Sequence, residues 1–175
     1  METSCIVVMG VSGCGKSTIS EILAARLGWD FAEADRFHSE RNIEKMKSAI
    51  PLTDADREPW LEAIADWISA RREEGRCCVV ACSALKRAYR ERLSRGHGGV
   101  RFVHLVGTYD AIAARMSDRT GHYMPLTLLK SQFDTLEPPG DDERPVRIPI
   151  DAEPEEIVAR IVAEIMGTLP NFGSK

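Results

Sequence analysis

The sequence predicts an α/β fold, a five-stranded parallel sheet sandwiched by helices. Strand-like and helix-like stretches alternate along the 175 residues, as they do when each strand is followed by a helix crossing back over the sheet. The apolar run Ile6-Val7-Val8-Met9 leads straight into a glycine-rich turn and then a helical pattern. Such a short apolar run suits a strand buried on both faces.

Five strands are expected: Cys5–Met9, Trp29–Ala34, Cys77–Cys82, Arg101–Val106 and Arg147–Ile150. Helices are expected at Lys16–Leu27, from about Asp56 to Glu74, at Ala84–Arg95, Tyr109–Arg119, Thr127–Thr135 and Pro154–Met166. In the second of these, Trp60, Leu61, Ile64, Trp67 and Ile68 share one side, and Gly75 ends the helix. Pro59 would sit in its first turn, where no N–H partner is needed. Ile157, Val158, Ile161, Val162, Ile165 and Met166 form a second stripe. Both stripes read as core packing. Two segments do not read as plain sheet-covering elements. These are Asp35–Arg57, polar and broken by Pro51, and Arg115–Arg144, which ends in the acidic cluster Asp141-Asp142-Glu143.

Hydrophobic residues make up 43% and charged residues 29%, ordinary values for a globular chain. Net charge is −4 and the pI about 5.6, which argues against nucleic acid as the main partner. No apolar run approaches the roughly 20 residues needed to span a bilayer, and the acidic start Met1-Glu2-Thr3 does not resemble a secretory signal. The five cysteines, Cys5, Cys14, Cys77, Cys78 and Cys82, lack zinc spacing. Reduced thiols in a cytoplasmic compartment are expected. Cys14 lies inside the glycine-rich turn, where N–H groups can acidify a thiol, or where a small residue merely fits.

Residues 10–17, Gly10-Val11-Ser12-Gly13-Cys14-Gly15-Lys16-Ser17, match G-x-x-x-x-G-K-[ST] in full. The glycines turn the backbone so that N–H groups meet phosphate oxygens, helped by the helix N-terminus. Lys16 would reach the β- and γ-phosphates, and the Ser17 hydroxyl would bind Mg²⁺. With Thr18, these residues form the expected nucleotide site. The chain therefore binds a nucleoside triphosphate, by expectation ATP. The third strand ends without the acidic Mg²⁺ ligand common in related enzymes, and the base-reading motif of GTPases is absent.

Phosphoryl transfer also needs an aligned acceptor hydroxyl and positive charge around the moving group. Asp35 follows the second strand, at the carboxyl edge where open α/β sheets bind ligands. It can take the acceptor proton, hold a Mg²⁺-bound water, or merely cap a loop. Arg115 and Arg119 are four apart on one helix face and lead into Thr120-Gly121-His122. That arrangement suits a lid over the phosphates. Lys86 begins a basic run, Lys86, Arg87, Arg90 and Arg92, expected to be mostly solvated. His38, Arg41 and Arg57 are the polar residues of the acceptor segment, and each taken singly reads as surface rather than site.

Four blocks then carry a family resemblance. They are GVSGCGKST, DRFHSERNIEKMKSAIPLTDADREPWL from Asp35 to Leu61, CSALKRAYR from Cys82, and GHYMPLTLLKSQFDTLEP from Gly121 with Asp142-Glu143. The second resembles D-x-x-H-x-x-x-N-I-x-K-M-x-x-G-x-P-L-x-D-x-D-R-x-P-W-L. Together they cover about residues 6–145, and the chain resembles the gluconokinases, small P-loop kinases related to shikimate and adenylate kinases. The resemblance implies a P-loop NTPase fold like that of nucleoside monophosphate kinases. It implies one domain, with a core of about 1–35, 75–110 and 145–170, an acceptor-binding segment of about 36–74 and a lid of about 115–145. It implies phosphorylation of D-gluconate at its 6-hydroxyl by ATP with Mg²⁺, in a homodimer. Asp35 would be base or hydroxyl positioner. His38, Arg57, Lys86 and His122 would face the sugar acid, and Lys16, Arg115 and Arg119 would act on the phosphates. Ala34 and Ala49 stand where the family pattern has glycine. The competing readings are a kinase for another small sugar acid or a shikimate-like acceptor, and a nucleotide-binding regulator without catalysis.

Overall fold

In the computed structural model, which describes residues 2–95, 97–118 and 126–167, five parallel strands lie in the order β2-β3-β1-β4-β5. The strands are β1 (Cys5–Met9), β2 (Asp30–Glu33), β3 (Cys78–Ala81), β4 (Val100–Val106) and β5 (Val146–Pro149). β1 is central and completely buried. Its register pairs Val7 with Val80 on one side and with Phe102 on the other. The helices are α1 (Lys16–Leu27), α2 (Glu40–Lys47), α3 (Asp54–Glu73), α4 (Arg87–Ser94), α5 (Tyr109–Asp118), α6 (Leu126–Thr135) and α7 (Pro154–Met166).

Alternation along each strand sends side chains to two cores. Ile6, Val8, Val79, Val103 and Ile148 meet Ile19 and Leu23 of α1 and Ile157 and Ile161 of α7. Val7, Met9, Val80 and Phe102 meet Trp60, Leu61 and Ile64 of α3 and Tyr89 and Leu93 of α4. Both predicted stripes are therefore core except for Met166, which is 58% exposed because it lies at the very end of α7, past the buried Ile165. All strands run the same way, so their carboxyl ends, with the loops that follow, form one edge.

Three expectations are corrected. First, α2 stands within the segment read only as polar and broken. Of its eight residues Asn42 alone is buried, so no sheet-facing stripe announced it. Ser39 starts it by accepting a hydrogen bond from the Asn42 N–H. Second, α3 begins at Asp54, earlier than expected, because Thr53 caps it. The Asp56 N–H donates to the Thr53 hydroxyl and the Thr53 N–H to the Asp56 carboxylate, a reciprocal cap. Pro59 therefore lies in the helix interior rather than its first turn. Third, Arg90 is 1% exposed and not solvated. It donates to both Glu143 carboxylate oxygens, at 2.6 and 3.0 Å, and to the Ala84 and Leu85 carbonyls.

That last network explains the acidic cluster. Asp142 pairs with Arg87 and Asp141 with Arg147, while Glu143 takes Arg90. The Arg87 N–H, an orphan at the start of α4, donates to Glu137 at 2.8 Å. Segment 137–143 is thus fastened to α4 and to the edge strand.

Ala49, in the turn after α2, has φ +55°. That region disfavours every residue with a Cβ, by about 1 kcal/mol or more. Ala49→Gly should raise stability by about 1 kcal/mol, read as a higher urea midpoint with an unchanged slope; an unchanged midpoint would show that the turn is unstrained. His104 on β4 is 5% exposed, and its buried Nδ1 has no partner among the described residues. Burial, with Arg90 and Arg147 nearby, pulls its pKa from 6.5 down to about 4. The unfolded chain then binds the extra proton between these values, so stability rises with pH across that window. His104→Gln should flatten the rise by on the order of 2 kcal/mol, measured as urea midpoints from pH 4 to 7.

Candidate active site

The glycine-rich loop leaves the buried end of β1 and closes on α1. Gly10 has φ +146°, and a Cβ there would meet the Leu105 carbonyl oxygen at 3.0 Å and Cys14 Sγ at 2.9 Å. Gly13 has φ +82° and lies against Met116 of α5. Both positions thus require glycine. The Gly10 N–H donates to the Ser83 carbonyl at 3.3 Å, tying the loop to the exit of β3. Lys16 Nζ donates to the Val11 carbonyl at 3.1 Å, so its ammonium arches back over the loop. Ser17 and Thr18 are exposed on the first turn of α1.

Glu33 and Asp35 come from the neighbouring strand end. Ser17 Oγ donates to Glu33 Oε2 at 2.5 Å. Burial raises the Glu33 pKa, with Asp35 adding repulsion, while the Ser17 hydrogen bond and Lys16 oppose the rise. Lys16, Ser17, Glu33 and Asp35 therefore share one electrostatic neighbourhood. Ser17 and Glu33 supply a hydroxyl and a carboxylate, hard oxygen donors of the kind Mg²⁺ accepts. Asp35 itself is exposed, in a 3₁₀ turn (Ala34–Phe37).

The acceptor segment folds back over this edge. His38 stacks on Trp60, with centroids 4.4 Å apart and planes 11° from parallel. Trp60 Nε1 donates to the Ala34 carbonyl at 2.8 Å. Burial lowers the His38 pKa, Asp35 works to raise it and Arg57 to lower it, so the three side chains face one another. Arg57 donates to the Tyr89 hydroxyl at 3.1 Å. That hydroxyl donates to Asp54 at 2.5 Å, and Lys86 Nζ donates to both Asp54 oxygens, at 3.1 and 3.2 Å. Arg57 and Lys86, two of the predicted acceptor cations, thus converge on Tyr89 around one internal carboxylate.

On the opposite side Arg115 donates to the Ile150 carbonyl, and its charge reaches Cys14. Arg119 and His122 lie outside the described residues. Cys14 is not acidified. Burial raises its pKa, and Lys16 and the loop N–H groups only partly offset that, so the small-residue reading of this position holds.

Several residues escaped sequence reasoning. Gln132 of α6 accepts the Ser12 N–H at 2.6 Å, 120 residues away, and no local signal marks that contact. Asn42, Asp54 and Tyr89 were visible only as letters inside longer blocks, and Glu33 only as the strand residue before Ala34 and Asp35.

A glycine-rich loop ending in Lys-Ser at a helix N-terminus, carried by the central strand of a β2-β3-β1-β4-β5 parallel sheet, defines a P-loop nucleotide-binding kinase. The shikimate kinase family model matches residues 12–166. A gluconokinase of Gluconobacter oxydans is 46% identical over 90% of this chain and 88% of its own length. The crystal structure of a gluconokinase from Sinorhizobium meliloti superposes with a TM-score of 0.87 at 44% identity, covering 96% of this chain and 95% of that one. Shikimate kinase from Aquifex aeolicus superposes at 0.59 with 17% identity over 94% and 97%, a likeness of fold alone. The chain belongs to the gluconokinase family of small P-loop kinases, within the wider shikimate kinase group.

Cys77 is the one partly exposed cysteine; the other four are buried. Brief iodoacetamide treatment of the folded protein at pH 7.5 should label Cys77 first, read by peptide mass spectrometry. Faster labelling at Cys14 would contradict the pKa assigned to it.

Proposed function

We propose that the chain transfers the γ-phosphoryl group of ATP to the 6-hydroxyl of D-gluconate, giving 6-phosphogluconate and ADP. The single observation that carries the reading is the acceptor side. A carboxylate, Asp35, follows Glu33, which meets Ser17 of the phosphate loop, and two cations, Arg57 and Lys86, gather around Tyr89 and Asp54 beyond the ring of His38. A linear sugar acid has the matching ends, a primary hydroxyl and a carboxylate. The names of the relatives support the same acceptor.

In this reading the loop N–H groups of residues 13–17 cradle the β-phosphate, and Lys16 neutralises charge on the β- and γ-phosphates. Ser17, backed by Glu33, would hold Mg²⁺, which would offset the charge of the phosphates. Asp35 orients the acceptor hydroxyl and receives its proton as the new P–O bond forms. Arg57 and Lys86 take the acceptor carboxylate, Lys86 exchanging the Asp54 carboxylate for it and Arg57 exchanging the neutral Tyr89 hydroxyl for a charged acceptor. Arg115, with Arg119, would complete the phosphate side, and His122 would face the acceptor. The homodimer implied by the resemblance is read by light scattering of the purified chain.

The test is ADP release from Mg-ATP with D-gluconate, shikimate, glucose, AMP or no acceptor. Release that depends on gluconate is expected; release with another acceptor, or with none, would overturn the substrate. Lys16→Ala should lower kcat by two to three orders of magnitude, the range for removing a charge-stabilising group. Asp35→Asn should lower kcat far more than it changes KM for ATP. Arg57→Ala should raise KM for gluconate about tenfold or more with KM for ATP unchanged. A rise confined to ATP would move Arg57 to the nucleotide side.

A further inference from the structure

Asn42 is the one buried residue of a polar helix, 4% exposed, and no chemistry described above uses it. Its Nδ2 donates to the backbone carbonyl of Asp56 at 2.9 Å. A carbonyl only accepts, so the amide nitrogen, not the amide oxygen, must face that point. The same nitrogen lies 3.4 Å from His38 Nδ1. An amide NH₂ has two hydrogens to give and nothing to accept with. A hydrogen bond between the two therefore requires a bare Nδ1, with the ring proton on Nε2.

We propose that Asn42 is a positioning residue that holds His38 as its Nε2–H tautomer and so presents the acceptor with a neutral hydrogen-bond donor. Each link is itself fixed. The Asp56 carbonyl belongs to the first turn of α3, locked by the Thr53 cap and by Lys45, whose Nζ meets Asp56 at 2.8 and 3.0 Å. The ring plane is set by Trp60, and Trp60 by the Ala34 carbonyl. Nε2 has no protein partner among the described residues, which leaves its proton for a ligand. The charged groups facing the ring are Asp35, from the 3₁₀ turn, and Arg57, from α3. An imidazolium would set an Nδ1–H against the Asn42 N–H, so the amide opposes protonation as burial and Arg57 do. The proposal rests on the reading of His38 as a residue that faces the acceptor.

Two-bond ¹H–¹⁵N spectra of histidine-labelled protein at pH 7.5 test the tautomer without any assay, with the His38 signals assigned by their loss in His38→Gln. The expected result is a pyridine-like Nδ1 and a pyrrole-like Nε2. Asn42→Asp puts an acceptor-only carboxylate against Nδ1 and should draw the proton there, giving the opposite tautomer or the imidazolium. Melting curves establish that each variant is folded. In kinetics, Asn42→Asp and His38→Gln should each raise KM for gluconate about tenfold, the scale of one lost hydrogen bond to a charged or polar ligand. KM for ATP should stay unchanged. A protonated Nδ1 in the unsubstituted protein, or no tautomer change in Asn42→Asp, would overturn the positioning role. If His38→Gln raises KM for gluconate and Asn42→Asp does not, His38 still faces the acceptor but Asn42 does not set it. If neither raises it, His38 does not face the acceptor and the proposal falls with that reading.

Discussion

The burial of β1 between β3 and β4 is the constraint from which the site follows. Five parallel strands leave their ends at one edge, and the central strand delivers the phosphate loop to the middle of it. The next strand end, two places away in the sheet, brings Glu33 and Asp35 beside that loop, and the exit of β3 between them leads to Lys86. No long-range steering is needed to gather these groups. The parallel order places them, and the two apolar cores hold the order in place.

On this frame the acceptor side is built from one turn of helix. Thr53 and Asp56 cap α3 reciprocally, and Lys45 pairs with Asp56 from α2. Asn42 hangs from the Asp56 carbonyl and reaches His38, while Asp54 of the same turn gathers Tyr89 and Lys86. The exposed ion pairs in this set contribute little stability singly. Their effect is geometric: they fix which atoms face the cleft. The far side is fastened differently, by the buried Arg90–Glu143 pair and by Glu137 at the start of α4. Those contacts hold α4, and with it Lys86 and Tyr89, against the sheet.

What the sequence made legible follows from the range of each interaction. The inner strands were readable because burial on both faces leaves short continuous apolar runs, and the stripes of α3 and α7 because burial on one face writes a helical period into the chain. The phosphate loop was readable because its function needs contiguous residues. α2 was not, since only Asn42 of its eight residues is buried and the helix leaves no apolar stripe. Arg90 looked solvated because its partner, Glu143, lies 53 residues away. Glu33 sat unnoticed beside Asp35, since its role depends on Ser17 across the strand ends. The block that marks the family between Asp35 and Leu61 becomes physical here. Its His38, Asn42, Lys45, Asp56 and Trp60 are one interlocked set, while its Arg57 joins the neighbouring Tyr89–Asp54–Lys86 cluster.

In the proposed function the acceptor has a direction, with its carboxylate at Arg57 and Lys86 and its far hydroxyl at Asp35 beside the phosphates. The regiochemistry of the product tests that direction most directly. Phosphorus–proton correlation spectra of the reaction mixture with D-gluconate should show a single ester whose phosphorus couples to the C6 methylene protons. An ester on a secondary carbon, or ADP released with free phosphate and no ester, would contradict it.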